Sequence, residues 1–153
     1  MTEAEVETLV RRAFAKVERP PDDFLTASVG DEQLEDTEPF REKMWSDVDH
    51  DLLSRYHYAY SWFTPKAFHY FLPAILTNGL KDPKAVYVIS LLMFLKPTDD
   101  PTLQRFRKER WALLTLPQIE TLERWLECLA RARPQVREEF EDALEVVTKR
   151  YWW

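Results

Sequence analysis

A chain of 153 residues, 45% hydrophobic and 31% charged, has the size and composition of one soluble globular domain. Its two glycines, Gly30 and Gly79, exclude glycine-rich phosphate loops and dinucleotide fingerprints and disfavour hairpin-rich all-β folds; the single Cys128 excludes an intrachain disulfide and zinc held by several thiolates. The net charge of −6 is concentrated in residues 18–51, where twelve acids face only Arg19, Arg41 and Lys43, a pattern that argues against nucleic acid as a partner and is compatible with a basic protein.

In chain order, Thr2 opens a capping box with Glu5, and Val6, Leu9, Val10, Ala13, Phe14 and Val17 fall on one helical face that Pro20 and Pro21 end. Residues 18–44 have no sustained period and read as an acidic, irregular connection, with a short strand pair as an alternative. Phe24, Leu25, Val29, Leu34 and Phe40 argue that it lies on the body. Ser46 and Asp49 offer a second capping-box spacing, followed by a helix through Phe63. Alternation of Tyr56, Tyr58, Tyr60 and Trp62 keeps a strand as the competing reading there.

"TPKAF" starts a helix at Thr64 and Pro65, with Asn78 and Gly79 as its end and a kink or break expected at Pro73. Asp82 and Pro83 start another; "AVYVISLLMFL" is apolar nearly all round, as a central buried helix is, with a buried strand as runner-up. Asp100–Pro101 starts a helix through about residue 112, Thr115 and Gln118 form a third capping box, and Pro134 opens a last helix with Val136, Phe140, Leu144, Val147 and Tyr151 as its stripe. The expectation is an all-α, compact single-domain bundle of about seven helices. The longest apolar run is too short for a bilayer, and the N-terminal stretch lacks a signal-peptide pattern, so a cytoplasmic protein with no membrane partner is expected.

Residues 55–73, "RYHYAYSWFTPKAFHYFLP", concentrate aromatic rings and two of the three histidines. On one regular helix His50 and His57 would stand roughly 10.5 Å apart and could not share a metal, so no metal site and no cofactor are assigned. Pro73 frees the carbonyl of His69 beside an imidazole and the Tyr70 phenol, a polar spot in an apolar helix. Tyr58, Trp62, His69 and Tyr70 are therefore the candidate ligand-binding residues; the competing account is a kink whose polar groups are satisfied internally.

Asp22, Asp23, Asp31, Glu32, Glu35 and Asp36 are candidates for holding a basic partner, against a merely solvated acidic loop. Trp152 and Trp153 are further partner candidates, or a homodimer surface, unless they dock on the domain. "RFRKER" at 105–110 reads as a helix with Phe106 inward and arginines outward, with a phosphate patch or a clamp on the acidic segment as alternatives. Cys128 reads as a small buried thiol, and no catalytic residue is named.

Ala13, Phe14, Val17 and Pro20, then Trp45, then Phe63, Thr64, Pro65, Ala67, Phe68, Tyr70, Leu72, Pro73 and Ala74 resemble an uncharacterised bacterial domain family. That family has an AF…V…P opening and an F-x-T-P-x-A-F-x-Y-Y-L-P-A segment. Phe71 stands where the pattern has a second tyrosine. The resemblance implies a bacterial cytosolic protein and no particular activity. The expected function is a non-enzymatic protein-interaction module, in one version an inhibitor or immunity-type protein that holds a basic partner through the acidic segment. A small-ligand binder or enzyme around His69 and Tyr70, and a structural homo-oligomer subunit, are the alternatives.

Overall fold

The computed structural model describes residues 1–27 and 30–153, with every side chain in them except that of Val136. The fold is all-α, and among the described residues there are nine helices and no strand. They are α1 (Glu3–Ala13), α2 (Asp31–Thr37), α3 (His50–Arg55), α4 (Ala59–Trp62), α5 (Pro65–Lys81), α6 (Val86–Leu95), α7 (Pro101–Trp111), α8 (Leu116–Ala132) and α9 (Arg137–Thr148). Short 3₁₀ turns lie at Asp22–Phe24, Glu38–Phe40, Trp45–Asp47 and Pro134–Val136. Val29 and the side chain of Val136, two of the expected apolar positions, fall outside the description.

Local chemistry sets most of the boundaries. Thr2 and Glu5 exchange hydrogen bonds as a capping box, Thr64 Oγ1 accepts from Ala67 N, and Asp100 Oδ1 accepts from Thr102 N and Leu103 N. Several boundaries differ from the sequence reading. Helix α1 ends at Ala13, short of Val17, and α9 starts at Arg137 after the 3₁₀ turn at Pro134–Val136 and ends at Thr148, short of Tyr151. Asp49, not Ser46, caps α3, accepting from Leu52 N at 2.9 Å. Asp82 and Pro83 form a turn, and α6 begins only after Ala85. The helix expected to reach Phe63 stops at Tyr56 and resumes at Ala59, and His57 turns its Nδ1–H onto Ser54 O at 3.1 Å.

The acidic connection contains one true helix, α2; with the division of the next expected helix into α3 and α4, seven expected helices become nine among the described residues. It is tied down by a bridge between Thr26 and Phe63, with Ala27 N donating to Trp62 O and Thr64 N to Leu25 O. Leu25 and Phe40 are buried as expected, whereas Phe24 and Leu34 face solvent.

Pro73 does not break α5, which runs unbroken from Pro65 to Lys81. An interior proline costs about 3 kcal/mol, but Phe68, Phe71, Leu72, Ile75 and Leu76 are all buried on this helix. Each buried side chain of that size is worth about 1.5–3 kcal/mol, so packing outweighs the local penalty. Gly79 is not a left-handed terminus either. It lies inside α5, where an added Cβ would stand 2.8 Å from Val88 Cγ2 and 3.0 Å from Trp125 Cζ2. Here glycine permits close helix approach.

The buried side chains form one hydrophobic cluster. Helix α8 packs on α9 and α1, α1 also packs on α5, and α6 lies against α5 and α9. The high tryptophan content has a shared use. Trp111 Nε1 donates to Phe94 O at 3.0 Å and Trp152 Nε1 to Leu95 O at 2.9 Å, and Arg107 Nη1 donates to Lys96 O at 2.7 Å. Three successive carbonyls at the end of α6 are thus satisfied by side chains, just before Pro97, which has no amide hydrogen to offer. Trp125 Nε1 likewise donates to Leu76 O in α5.

Candidate functional site

The four ligand candidates do not converge on one cavity. His69 Nε2 lies 2.7 Å from Gln118 Oε1, and its ring meets Phe14 edge-on. The same Gln118 oxygen accepts from Thr115 N, and Gln118 Nε2 donates to Ala13 O. His69 is therefore part of a polar knot joining α1, α5 and α8; burial lowers its pKa below the usual 6.5, opposed in part by the bond to Gln118. Tyr70 is buried, and its hydroxyl accepts from Trp45 N. Trp62 Nε1 donates to Asp36. Only Tyr58 is exposed, and it lines a cleft.

The partner candidates divide as well. Asp22 is used within the chain: it accepts from Glu42 N at 3.0 Å and from Arg19 Nη2 at 2.6 Å, and these two contacts, the backbone one first, lower its carboxyl pKa. It thereby holds Glu42, whose φ of 60° is in the left-handed region. Asp36 serves Trp62. Asp23, Asp31, Glu32 and Glu35 stay exposed, Asp23 beside Arg41.

The terminal tryptophans are docked, which corrects their reading as a partner surface. Trp152 is fully buried, Trp153 lies partly buried with Nε1 donating to Trp111 O, and Lys108 Nζ donates to Trp152 O.

"RFRKER" also differs from the outward-facing reading. Arg110 is buried, with its guanidinium 3.6 Å from the centre of the Phe106 ring, Nη2 on Phe63 O and Nη1 on Phe106 O. Among the described residues its Nε has no hydrogen-bond partner, and burial pulls its pKa down to about 10. Cys128 is buried as expected, and burial raises its thiol pKa, with Arg131 opposing. Among the described residues no group of three or more His, Cys, Asp or Glu converges as a metal site. No helix among them is long and apolar enough to cross a membrane.

What the fold does assemble lies around α6. The helix is not central: Tyr87, Val88, Leu91 and Leu95 face the core, while Val86, Ile89 and Met93 are 40%, 48% and 52% exposed. At spacings of three and four these residues form one apolar stripe. A cleft flanks it on each side. Between α6 and α9, about 400 Å³ is floored by Leu92, Ala143 and Val146 and rimmed by Glu139, Asp142 and Lys96. On the other side, about 240 Å³ is lined by Tyr58 and Ser61 near α4, by Tyr87, Ser90 and Phe94 of α6, and by Arg107 of α7.

In that smaller cleft the Tyr87 hydroxyl is already engaged, 2.8 Å from His50 Nδ1, and burial pushes its pKa up to about 12. Apart from Tyr58, none of these cleft residues was a candidate from sequence, because they come from segments up to fifty residues apart. Arg107 alone carried a signal, as part of the basic run.

Searches of curated proteins and of solved structures find no match. The model of a family of unknown function, DUF6714, matches residues 2–153, so the chain belongs to that family.

Proposed function

We propose that this chain is a non-enzymatic interaction module that docks a basic, amphipathic segment of a partner protein along the outer face of α6. The observation that carries this reading is the Val86, Ile89 and Met93 stripe, three large apolar side chains left in solvent beside a groove. Apolar surface arranged in a row next to a groove suits an amphipathic helix, which places residues at i, i+3 and i+7 into such a surface. Glu139 and Asp142 outnumber Lys96 on the groove rim, which favours a partner with basic residues flanking its apolar face. Exposed Asp23, Asp31, Glu32 and Glu35 add to a field that speeds encounter with a cation-rich surface. In the inhibitor or immunity-type version, the partner is an enzyme whose basic site this acidic surface covers.

The test compares the wild-type chain with the Ile89→Glu/Met93→Glu double variant, each immobilised in native lysate at low and high salt. A basic protein retained by the wild type, lost from the variant and released by salt, then reconstituted from purified components, is the expected result. Equal retention by both chains overturns the reading. Sedimentation in which the wild type alone self-associates replaces the foreign partner with a second copy.

A further inference from the structure

The smaller cleft combines an apolar wall with an available cation. Tyr58, Tyr60, Phe68 and Phe94 contribute to its walls, and Ser61 and Ser90 belong to its lining. Arg107 lines the same cleft, with its guanidinium 6.0 Å from the centre of the Phe94 ring and, among the described residues, only Nη1 engaged, on Lys96 O. A guanidinium has five N–H donors, so most of this fork remains available. Arg110, one turn further along α7 on the same face, adds a buried positive charge bonded only to carbonyls. Among the described residues neither arginine forms an ion pair; the arginine and lysine pairs involve Arg11, Arg19, Arg41, Arg124, Arg137, Lys149 and Arg150. Arg107 is thus a cation beside aromatic walls with no carboxylate paired to it among the described residues, whereas Arg110 lies behind the lining with Glu109 partly offsetting its charge.

We propose that the cleft between α4, α6 and α7 binds a small organic carboxylate with a flat apolar body, the Arg107 guanidinium taking the carboxylate and the aromatic walls the ring. Arginine suits this because its planar fork pairs with both carboxylate oxygens. The volume of about 240 Å³ accommodates a single ring with short substituents. Ser61 and Ser90 add donors and acceptors for polar substituents. This inference is separate from the α6 docking face and concerns a different class of ligand.

The test is titration of the intact chain with benzoate, followed by amide chemical shifts. Saturable shifts confined to residues near 57–61, 87–94 and 107 are expected, with a Kd on the order of 1 mM or tighter. Benzamide, neutral and isosteric, and the Arg107→Gln variant should each weaken binding about tenfold or more. Because Arg107 also holds Lys96 O, a second variant, Ser90→Leu, fills the cleft from an exposed position without touching the arginine; it should abolish the shifts while the thermal midpoint stays unchanged. The proposal is overturned by absence of saturable shifts, by binding indifferent to Ser90→Leu or to the loss of charge, or by inorganic phosphate binding as well as benzoate.

Discussion

Trp152→Ala measures how far the segment after α9 supports the rest of the fold. The side chain is fully buried, and its indole N–H donates to Leu95 O at 2.9 Å. Burying an indole removes up to about 250 Å² from water, an upper limit near 6 kcal/mol at about 25 cal/mol per Å². Measured truncations of buried Phe or Trp cost about 3–5 kcal/mol, and the orphaned carbonyl adds on the order of 1 kcal/mol unless water replaces the donor. A loss of about 4 kcal/mol is expected, which lowers the melting temperature of a chain this size by about 8–16 °C.

The assay is urea unfolding followed by circular dichroism, with Trp152→Phe and Tyr151→Ala alongside. Trp152→Phe keeps most of the apolar area and loses the donor, so it should cost about 1–2 kcal/mol. Tyr151, 42% exposed, should cost about 1 kcal/mol or less. If Trp152→Ala costs no more than Tyr151→Ala, the docking of this segment on α6 is wrong.

Two further outcomes follow from buried positions. Gly79→Ala gains about 1 kcal/mol of helix propensity but presses a methyl group against Val88 Cγ2 and Trp125 Cζ2. The indole is held by its bond to Leu76 O, so overpacking wins and a net loss of about 1 kcal/mol is expected in urea midpoints; Val88→Ala in the same chain should recover part of it. For His69, burial favours the neutral ring, so the folded pKa lies below 6.5. Above that value both states are neutral and the group contributes nothing to pH dependence. As pH falls below it the unfolded chain binds the proton more readily, so stability declines until the folded pKa is passed. Urea midpoints between about pH 7 and pH 5.5 should fall less steeply for His69→Gln than for the wild type.

Three helix starts are legible from adjacent residues, whereas Asp82–Pro83 forms a turn and Pro134 a 3₁₀ turn ahead of the helices the sequence reading has them open. Thr2, Thr64–Pro65 and Asp100–Pro101 do what their spacing suggests. Gly79 departs from its local rule because Val88 of α6 and Trp125 of α8 stand against it, and Pro73 because the α5 side chains around it are buried; neither cause lies in a short window of sequence. Helix α2 has no apolar period to detect; its only buried residue is Thr37, whose hydroxyl bonds Thr26 and Gln33 O. The all-round apolarity of α6 correctly marked a helix, yet periodicity records which faces are apolar and not which faces receive a neighbour. The aromatic-rich stretch was largely core, and its one exposed ring, Tyr58, borders a cleft whose cation lies in another helix.

The side chains that close the end of α6 also set an order of events during synthesis. Trp152 is 57 residues downstream of the carbonyl it satisfies. At about 5–20 residues per second, roughly 3–11 s separate the making of Leu95 from the making of its donor. Throughout that interval the end of an almost wholly apolar helix lacks its last donor and the side chains that bury it. A nascent chain at this stage is a natural client for chaperones that hold apolar segments, and stalling ribosomes a few residues before Trp152 should prolong that association.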